Sequence, residues 1–165
     1  MKRIGVLSDT HGIVPKQVYT FFENVDIILH AGDLGSTDVL DELRNFKPTI
    51  AVFGNIDSYE IYSQIKRIET FKIEDTKIMM THIGGYPNHY EKGIKELLTI
   101  EKPNIFISGH SHILKVIYDK KFNLLHINPG AAGHYGFHQV STLVRFYIDG
   151  DKPKDLEIME YSKQG

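Results

Sequence analysis

Cysteine is absent from the 165-residue sequence. Disulfide bonds, thiolate metal sites and cysteine nucleophiles are therefore excluded. Long apolar runs are missing as well, since no stretch is long enough to cross a membrane. The first apolar run, residues 4–7, is too short to form a signal peptide. These absences lead us to expect a cytoplasmic protein.

The sequence also lacks a strong excess of one charge sign. Its formal net charge is −2, with acidic and basic residues interspersed. Nothing in the charge therefore favours nucleic acid or a membrane surface as a partner. The length favours a single domain over residues 1–165. Nine histidines are many for this length, and clusters of histidine are often metal ligands.

The first third of the chain alternates between predicted strands and helices. Pro15 suits the first turn of a helix, and Ser36 is a favoured residue at a helix N-cap. This alternation predicts a parallel sheet with helices packed on it. The predicted strands are residues 4–7, 26–30 and 49–53, and the predicted helices run from 15 to about 22 and from 36 to about 45.

The rest of the chain is richer in strands joined by short turns, which favours antiparallel pairing. A helix is predicted from about residue 90 to 100, with apolar side chains at helical spacing. Together with the first third, this predicts an α/β protein with two packed mixed sheets flanked by helices. The predicted strands are residues 67–73, 77–81, 104–108, 115–118, 123–128, 142–148 and 155–161.

Five short segments of metal-ligand residue types follow apolar runs, where strands should give way to loops. Ligands of open α/β sheets gather outside the carboxyl ends of the strands, so we expect these segments to converge. In extended chain, residues two apart point to one side, and the glycines let the backbone approach closely. The segments are Asp9-Thr10-His11, Gly32-Asp33, Gly54-Asn55, Thr81-His82 and Gly109-His110-Ser111-His112.

These segments offer oxygen and imidazole nitrogen ligands but no sulfur. That set suits manganese, iron, zinc or nickel better than calcium or magnesium. Two ions about 3.5–4 Å apart can clamp a phosphate ester for in-line displacement. With two carboxylates and one hydroxide, such a site stays net positive and favours an anionic ester. The candidate metal ligands are Asp9, His11, Asp33, Asn55, His82, His110 and His112.

In this order the segments resemble the motifs of the calcineurin-like metallophosphoesterase superfamily. The size and the Asn128-Pro129-Gly130 turn are similar to those of its small YfcE-type phosphodiesterases. The resemblance covers residue 4 to about 130 and implies a four-layer α/β/β/α sandwich. It further implies that Asp9, His11, Asp33 and His112 hold one metal, with Asp33 bridging to a second held by Asn55, His82 and His110.

The resemblance implies a phosphoesterase that uses two divalent ions, with manganese favoured and nickel, iron and zinc left open. A phosphodiesterase acting through metal-bound hydroxide on a small phosphate ester is favoured over a phosphomonoesterase. A non-catalytic protein scaffold on the same fold, as in the retromer subunit, is the alternative. Relatives often form dimers or larger assemblies, and the sequence leaves a homo-oligomer open. The residues assigned to catalysis are Asp33, Asn55, His82 and His110.

The chain departs from the family pattern after two of the segments. Relatives often carry Gly-Asn-His-Asp/Glu, whose histidine protonates the leaving group, but here Ile56 follows Asn55. Likewise, Ile83 follows His82 where many relatives have Gly-His. General acid catalysis typically contributes about 10²–10⁴-fold. We therefore expect a preference for activated leaving groups.

Several residues near the segments have open roles at this stage. His30 is expected to orient a ligand, and Asp57 either does the same or belongs to a turn. His126 is expected in the core, and the Asn128 turn either shapes the site or merely follows a strand. One group either lines the substrate pocket or forms a solvated loop: Tyr86, Asn88 and His89. A second group either gates the pocket or contacts another subunit: His134, Tyr135, Phe137 and His138.

Overall fold

Short apolar runs separated by polar turns become the strands of two sheets. The computed structural model describes residues 1–163. In chain order, its elements are β1 (Lys2–Leu7), α1 (Lys16–Phe21), β2 (Ile27–His30), α2 (Thr37–Phe46), β3 (Thr49–Ala51), α3 (Tyr59–Tyr62), β4 (Ile68–Ile73), β5 (Thr76–Thr81), β6 (Gly85–Tyr86), β7 (His89–Tyr90), α4 (Ile94–Glu101), β8 (Ile105–Ile107), β9 (Leu114–Asp119), β10 (Leu124–Pro129), β11 (Val140–Asp149) and β12 (Lys152–Ser162).

The first sheet has the strand order β12-β11-β1-β2-β3. Strands β1, β2 and β3 are parallel, which confirms the prediction for the first third of the chain. Strand β11 pairs antiparallel with β1, and β12 pairs antiparallel with β11. The carboxyl ends of three parallel strands therefore lie at one edge of this sheet.

The second sheet has the order β4-β5-β8-β10-β9. Strands β5, β8 and β10 are parallel, while the outer strands β4 and β9 run antiparallel to their neighbours. Both sheets are thus mixed, as predicted. The ends of β5 and β8, which precede two of the ligand segments, lie side by side.

The two sheets separate three apolar layers. Successive side chains of a strand point to opposite faces of its sheet and so enter different layers. Ile28 packs beneath α1 and α2, whereas the next residue, Leu29, faces the second sheet. In that sheet, Met80 faces the first sheet, and its neighbour Met79 packs against Leu98 of α4. The result is the four-layer α/β/β/α sandwich implied by the sequence.

The elements differ from the predictions mainly at their ends. Helix α4 begins at Ile94 rather than near Tyr90, because Gly93 is left-handed with φ 88° and Tyr90 pairs in β7. Ser36 lies at the N-cap of α2, but its side chain forms no capping hydrogen bond. The one-turn helix α3 and the β6–β7 hairpin were not predicted. Within residues 1–163, no helix has the length and apolar character needed to span a membrane.

Candidate metal centre

The loops after β1, β2, β5 and β8 bring five of the seven predicted ligands into one cluster. Asp9 is at its middle, with Oδ1 3.2 Å from His112 Nε2. The same oxygen lies 3.8 Å from Nε2 of His11 and 3.8 Å from Nε2 of His82. Side chains from opposite ends of the sequence, such as Asp9 and His112, therefore meet around one carboxylate oxygen.

Asp33 supplies a second oxygen to the same cluster. Its Oδ2 lies 3.2 Å from His82 Nε2 and 3.6 Å from His11 Nε2. Two overlapping sets of ligand atoms result, each compact enough to surround one ion. They are Asp9, His11 and His112, and Asp9, Asp33 and His82.

The remaining two predicted ligands, Asn55 and His110, form the exposed rim of the cluster. Asn55 Oδ1 lies 3.1 Å from His110 Nδ1. The His110 ring stands edge-on to the His82 ring, with centroids 5.3 Å apart. Both rim residues are exposed, whereas Asp9, Asp33 and His82 are buried. His110 therefore adjoins the cluster without belonging to either compact set, and Asn55 contacts His110.

The ligand loops have left-handed backbone, which contradicts the extended geometry expected for the two pairs. Asp9 and His11 have φ of 56° and 50°, and His110 and His112 have φ of 71° and 63°. Asp33 is left-handed as well, with φ 58°. Non-glycine residues seldom adopt this region, although Asp and His enter it more often than most. Convergence thus comes from tight turns and not from strand alternation.

Two of the predicted glycines are required by close contacts with the Asp33 carboxylate and the Ser8 hydroxyl. A Cβ atom on Gly54 would lie 2.0 Å from Asp33 Oδ1, and one on Gly109 would lie 2.2 Å from Ser8 Oγ. Neither gap admits a side chain, because such distances are far below van der Waals contact. The glycines therefore let the neighbouring loops press against Asp33 and Ser8, as the sequence predicted.

Asp9 remains ionised despite its complete burial. Burial alone would raise the pKa of its carboxyl. Contacts with His11 and His112, the positive potential of His82 and the Ser8 hydroxyl outweigh this effect and hold the pKa far below its usual range. Ser8 Oγ donates to Asp9 Oδ2 over 2.6 Å, and the His110 N–H donates to the same oxygen over 3.2 Å. These bonds leave Oδ1 free to face the imidazoles.

The tautomer of His82 follows from its backbone contact. Its Nδ1 lies 2.8 Å from the Ala31 carbonyl oxygen, which can only accept. Nδ1 therefore carries the hydrogen of the neutral ring, and the lone pair of Nε2 faces Asp33 and Asp9. Burial opposes the imidazolium, but the contacts with Asp33, Asp9 and Ala31 raise its pKa overall. The two carboxylates therefore favour a positive charge at Nε2, and a metal cation can take the place of the proton there.

Three buried ligand atoms have no hydrogen-bond partner within residues 1–163. They are Asp9 Oδ1, His11 Nε2 and His82 Nε2. Leaving buried polar atoms unpaired is unfavourable by about 1–3 kcal/mol each. Acceptor atoms that face one another without an intervening hydrogen fit a cation between them. This donor set therefore fits divalent metal ions.

The buried residue His30 connects two of the loops that carry the candidate ligands. His30 accepts the Gly32 N–H at Nδ1 over 3.1 Å, and its Nε2 lies 3.0 Å from Thr10 Oγ1. Burial lowers the pKa of His30 to about 3, so the ring is neutral at pH 7. Its contacts join the loop after β1 to the loop after β2, in agreement with the orienting role predicted for it.

Asp57 is more than a turn residue. Its carboxylate accepts backbone N–H groups from Gly54 over 2.8 Å, Gly35 over 2.9 Å and Leu34 over 3.2 Å. It therefore joins the loop that carries Asn55 to the loop that carries Asp33. Of the two roles left open by the sequence, this geometry supports the orienting one.

Asn128 has a similar role on the second sheet. Its Nδ2 donates to the Gly109 carbonyl and to Ser111 Oγ, each over 3.0 Å. Its Oδ1 accepts the Gly130 N–H over 3.0 Å. The Asn128 turn thus fixes the loop that carries His110 and His112. His126, two residues earlier, is fully buried as predicted.

The loops predicted to lie beside the site divide into two groups. Tyr86 lines a cavity of about 220 Å³ next to His110, whereas Asn88 and His89 do not line it. In the loop between β10 and β11, the Tyr135 ring stacks on His11 at 5.0 Å. His134 and Phe137 in that loop are exposed, and His138 contacts His112.

Sequence reasoning missed Arg67, a cation beside the rim. Its backbone oxygen accepts from Thr81 Oγ1 over 3.3 Å, and the residue lines a cavity of about 120 Å³ together with Asn55 and His82. Arg67 forms no ion pair within residues 1–163. An isolated exposed arginine has no distinguishing pattern in sequence, so only the fold identifies its position.

Comparison with known proteins identifies relatives over most of the chain. The calcineurin-like phosphoesterase superfamily domain matches residues 1–151. A protein of Methanothermobacter thermautotrophicus named probable metallophosphoesterase is 34% identical over 94% of this chain and 91% of its own. A Methanocaldococcus jannaschii protein named phosphodiesterase is 31% identical over 81% of this chain and 86% of its own.

Among solved structures, wild-type Vps29 of Entamoeba histolytica in complex with Zn²⁺ is similar with a TM-score of 0.75 at 17% identity. It covers 98% of this chain and 99% of its own. This likeness supports the four-layer fold. The match over residues 1–151 and the relative with 34% identity confirm the resemblance read from the five segments. The chain belongs to the calcineurin-like phosphoesterase superfamily.

Proposed function

We propose that the protein is a phosphoesterase that requires divalent metal ions and hydrolyses phosphodiesters. One observation carries the proposal. Asp9 Oδ1 lies 3.8 Å from Nε2 of both His11 and His82, and these three buried atoms lack hydrogen-bond partners within residues 1–163. Facing lone pairs destabilise a protein unless a cation separates them. Because the chain belongs to a phosphoesterase superfamily, we infer that the cations at this site would act in phosphate ester hydrolysis.

Two ligand sets support a site for two ions. Asp9, His11 and His112 would hold one ion, and Asp9, Asp33 and His82 the other. The resemblance gives the bridging role to Asp33, and that role stays a prediction. Asn55 and His110 would add ligands from the rim. When bound, divalent cations polarise phosphoryl oxygens and lower the pKa of water, which are the two requirements of phosphate ester hydrolysis.

The residues of the rim would bind and orient the ester. Asn55, His110 and Arg67 all reach the surface beside the ligand cluster. A guanidinium is planar and always charged, so it suits an anionic phosphate oxygen. The side chain of Ile56 is exposed and cannot donate a proton. This arrangement therefore favours esters whose leaving group needs no protonation.

The proposal is tested by hydrolysis of bis(4-nitrophenyl) phosphate with metal-free protein, before and after addition of Mn²⁺. We expect turnover only with the metal, and loss of turnover in Asp33→Asn. The matched control is Asp38→Asn, since Asp38 is an exposed carboxylate on α2. Equal activity of Asp33→Asn and Asp38→Asn would contradict the proposal.

The same assay distinguishes the alternatives within and outside the enzyme class. Faster turnover of 4-nitrophenyl phosphate than of the diester would indicate a phosphomonoesterase. Tight Mn²⁺ binding without turnover of either ester would favour the protein scaffold on this fold. The diester is expected to be the better substrate.

A further inference from the structure

A histidine outside the predicted ligand set lies directly behind His112. His138 Nδ1 is 3.2 Å from His112 Nδ1, and the two rings are close to perpendicular, at 80°. The other nitrogen of His138, Nε2, is 2.8 Å from the carbonyl oxygen of Gly133. His138 therefore spans the space between a backbone oxygen and a ligand imidazole.

The position of each hydrogen in the series of contacts from Gly133 through His138 to His112 follows from the Gly133 carbonyl. A carbonyl oxygen accepts only, so His138 Nε2 carries a hydrogen. In a neutral imidazole the other nitrogen is then an acceptor, and His138 Nδ1 accepts from His112 Nδ1. In its neutral form, His112 consequently has its hydrogen on Nδ1 and a lone pair on Nε2. That lone pair faces Asp9 Oδ1 at 3.2 Å.

Gly133 connects His138 to Asp9, which belongs to the same ligand set as His112. Its N–H donates to the backbone oxygen of Asp9 over 3.1 Å, and its own oxygen also accepts from Ser141 Oγ over 2.9 Å. A Cβ atom on Gly133 would lie 2.4 Å from the Thr10 oxygen. The distance between Asp9 and His138 is therefore fixed through the backbone of Gly133, where there is no room for a side chain.

We propose that His138 is a positioning residue, which holds His112 in the tautomer with an unprotonated Nε2 directed at Asp9. This raises the affinity of the set Asp9, His11 and His112 for a divalent cation. The inference rests on the metal site of the proposed function, but not on the reaction or the substrate. Hydrogen-bond partners of metal-ligating histidines fix both the tautomer and the orientation of the ring.

The hydrogen-bond partners of His82 and His112 differ, because one is a backbone oxygen and the other is a side chain. This difference makes the proposal testable. His82 is oriented by the Ala31 backbone, which no substitution removes. His112 is oriented by a side chain, and His138→Leu removes its acceptor. His138→Asn restores an acceptor near the position of Nδ1. His134→Leu is the matched control, since His134 is exposed in the same loop.

Mn²⁺ dissociation constants of the metal-free proteins, measured by titration calorimetry at about pH 8, where free imidazole is neutral, test the proposal. We expect binding about 10- to 100-fold weaker in His138→Leu, partial recovery in His138→Asn and no change in His134→Leu. Melting temperatures of the metal-free forms verify that each variant folds. Equal affinity of His138→Leu and His134→Leu would overturn the proposal.

Nitrogen NMR of the metal-free protein gives a second readout that loss of packing does not mimic. We expect His112 to carry its hydrogen on Nδ1 in the wild type and to shift toward the Nε2–H form in His138→Leu. An unchanged tautomer would overturn the proposal. If the wild type binds Mn²⁺ and hydrolyses no ester, the proposed function fails while this inference is still decided by the affinities. If the wild type binds no Mn²⁺, both fail.

Discussion

The buried middle of the ligand cluster and its exposed rim are built differently. Asp9 is 0% exposed and His82 is 2% exposed, and each is held by hydrogen bonds to the chain behind it. At the rim, the Asn55 and His110 side chains contact one another instead. Under the proposed function, the buried middle would hold the cations and the exposed rim would contact the ester. The difference in burial and hydrogen bonding thus fits separate roles for the two parts of the site.

The largest expected difference between middle and rim concerns stabilisation by metal. In the wild type, Mn²⁺ at a hundredfold excess over its dissociation constant should stabilise the fold by about 2.7 kcal/mol. Asp9→Asn should abolish this stabilisation, because Asp9 belongs to both ligand sets. Asn55→Ala should reduce it by a smaller amount. Thermal unfolding with and without Mn²⁺ measures both, and equal losses in the two variants would remove the distinction.

The second expected effect concerns the missing proton donor at the rim. Ile56→His should raise the turnover of alkyl phosphodiesters by about a hundredfold, since general acids contribute about 10²–10⁴-fold. Nitrophenyl diesters should gain little, because their leaving group needs no proton. The Ile56 side chain is 47% exposed, so the change leaves the core intact. If the wild type turned over alkyl and nitrophenyl diesters equally, this account of the rim would be wrong.

A third test addresses Arg67. Arg67→Ala should raise KM for the diester about tenfold, which corresponds to about 1.4 kcal/mol, while kcat changes less. The neighbouring Lys66 is also exposed but does not line the cavity with Asn55. Lys66→Ala should therefore alter KM by about twofold or less, as for an ordinary surface charge. Similar KM values in the two variants would exclude Arg67 from the substrate site.

A fourth test concerns a pH dependence of stability that arises from two buried histidines. Burial lowers the pKa of His30 to about 3 and of His126 to about 4, against about 6.5 in an unfolded chain. Their contribution to stability is thus present above about pH 6.5. It is lost as the pH falls toward about 4, because the unfolded state then binds more protons.

The measurement is the free energy of unfolding of metal-free protein between about pH 6.5 and 4.5. Each of the two histidines should contribute up to about 1.4 kcal/mol per pH unit to the slope. His82 does not oppose this, since its raised pKa gives a contribution already complete below about pH 6.5. His126→Leu should flatten the slope, and exposed His134→Leu should not. An unchanged slope in His126→Leu would contradict the assignment.

The sequence predicts which candidate ligands converge better than it predicts what holds them in place. Asp9, Asp33 and His82 were found because ligand residue types follow apolar strands, and parallel strands end at a common edge. The left-handed backbone was missed, since no rule of spacing distinguishes a tight turn from extended chain. Helix α4 was placed too early because Tyr90 fits the helical spacing but pairs in β7.

The supporting residues were harder to predict, because their roles depend on contacts between distant loops. Asp57 accepts hydrogen bonds from two residues more than 20 positions away. His138 reaches a residue 26 positions earlier, and Arg67 lies beside His82 only because β4 and β5 pair. No local pattern encodes these distances, so sequence alone left their roles open or overlooked them.

The left-handed ligands have a consequence for how this protein tolerates change. Glycine would relieve backbone strain at Asp9, His11, Asp33, His110 or His112, where an L-residue costs about 1 kcal/mol or more. Glycine there would also remove a donor. Selection for stability alone would favour glycine at these five positions, which lie in three loops. The side chains at these positions therefore cost stability, which a metal site of the kind proposed would explain.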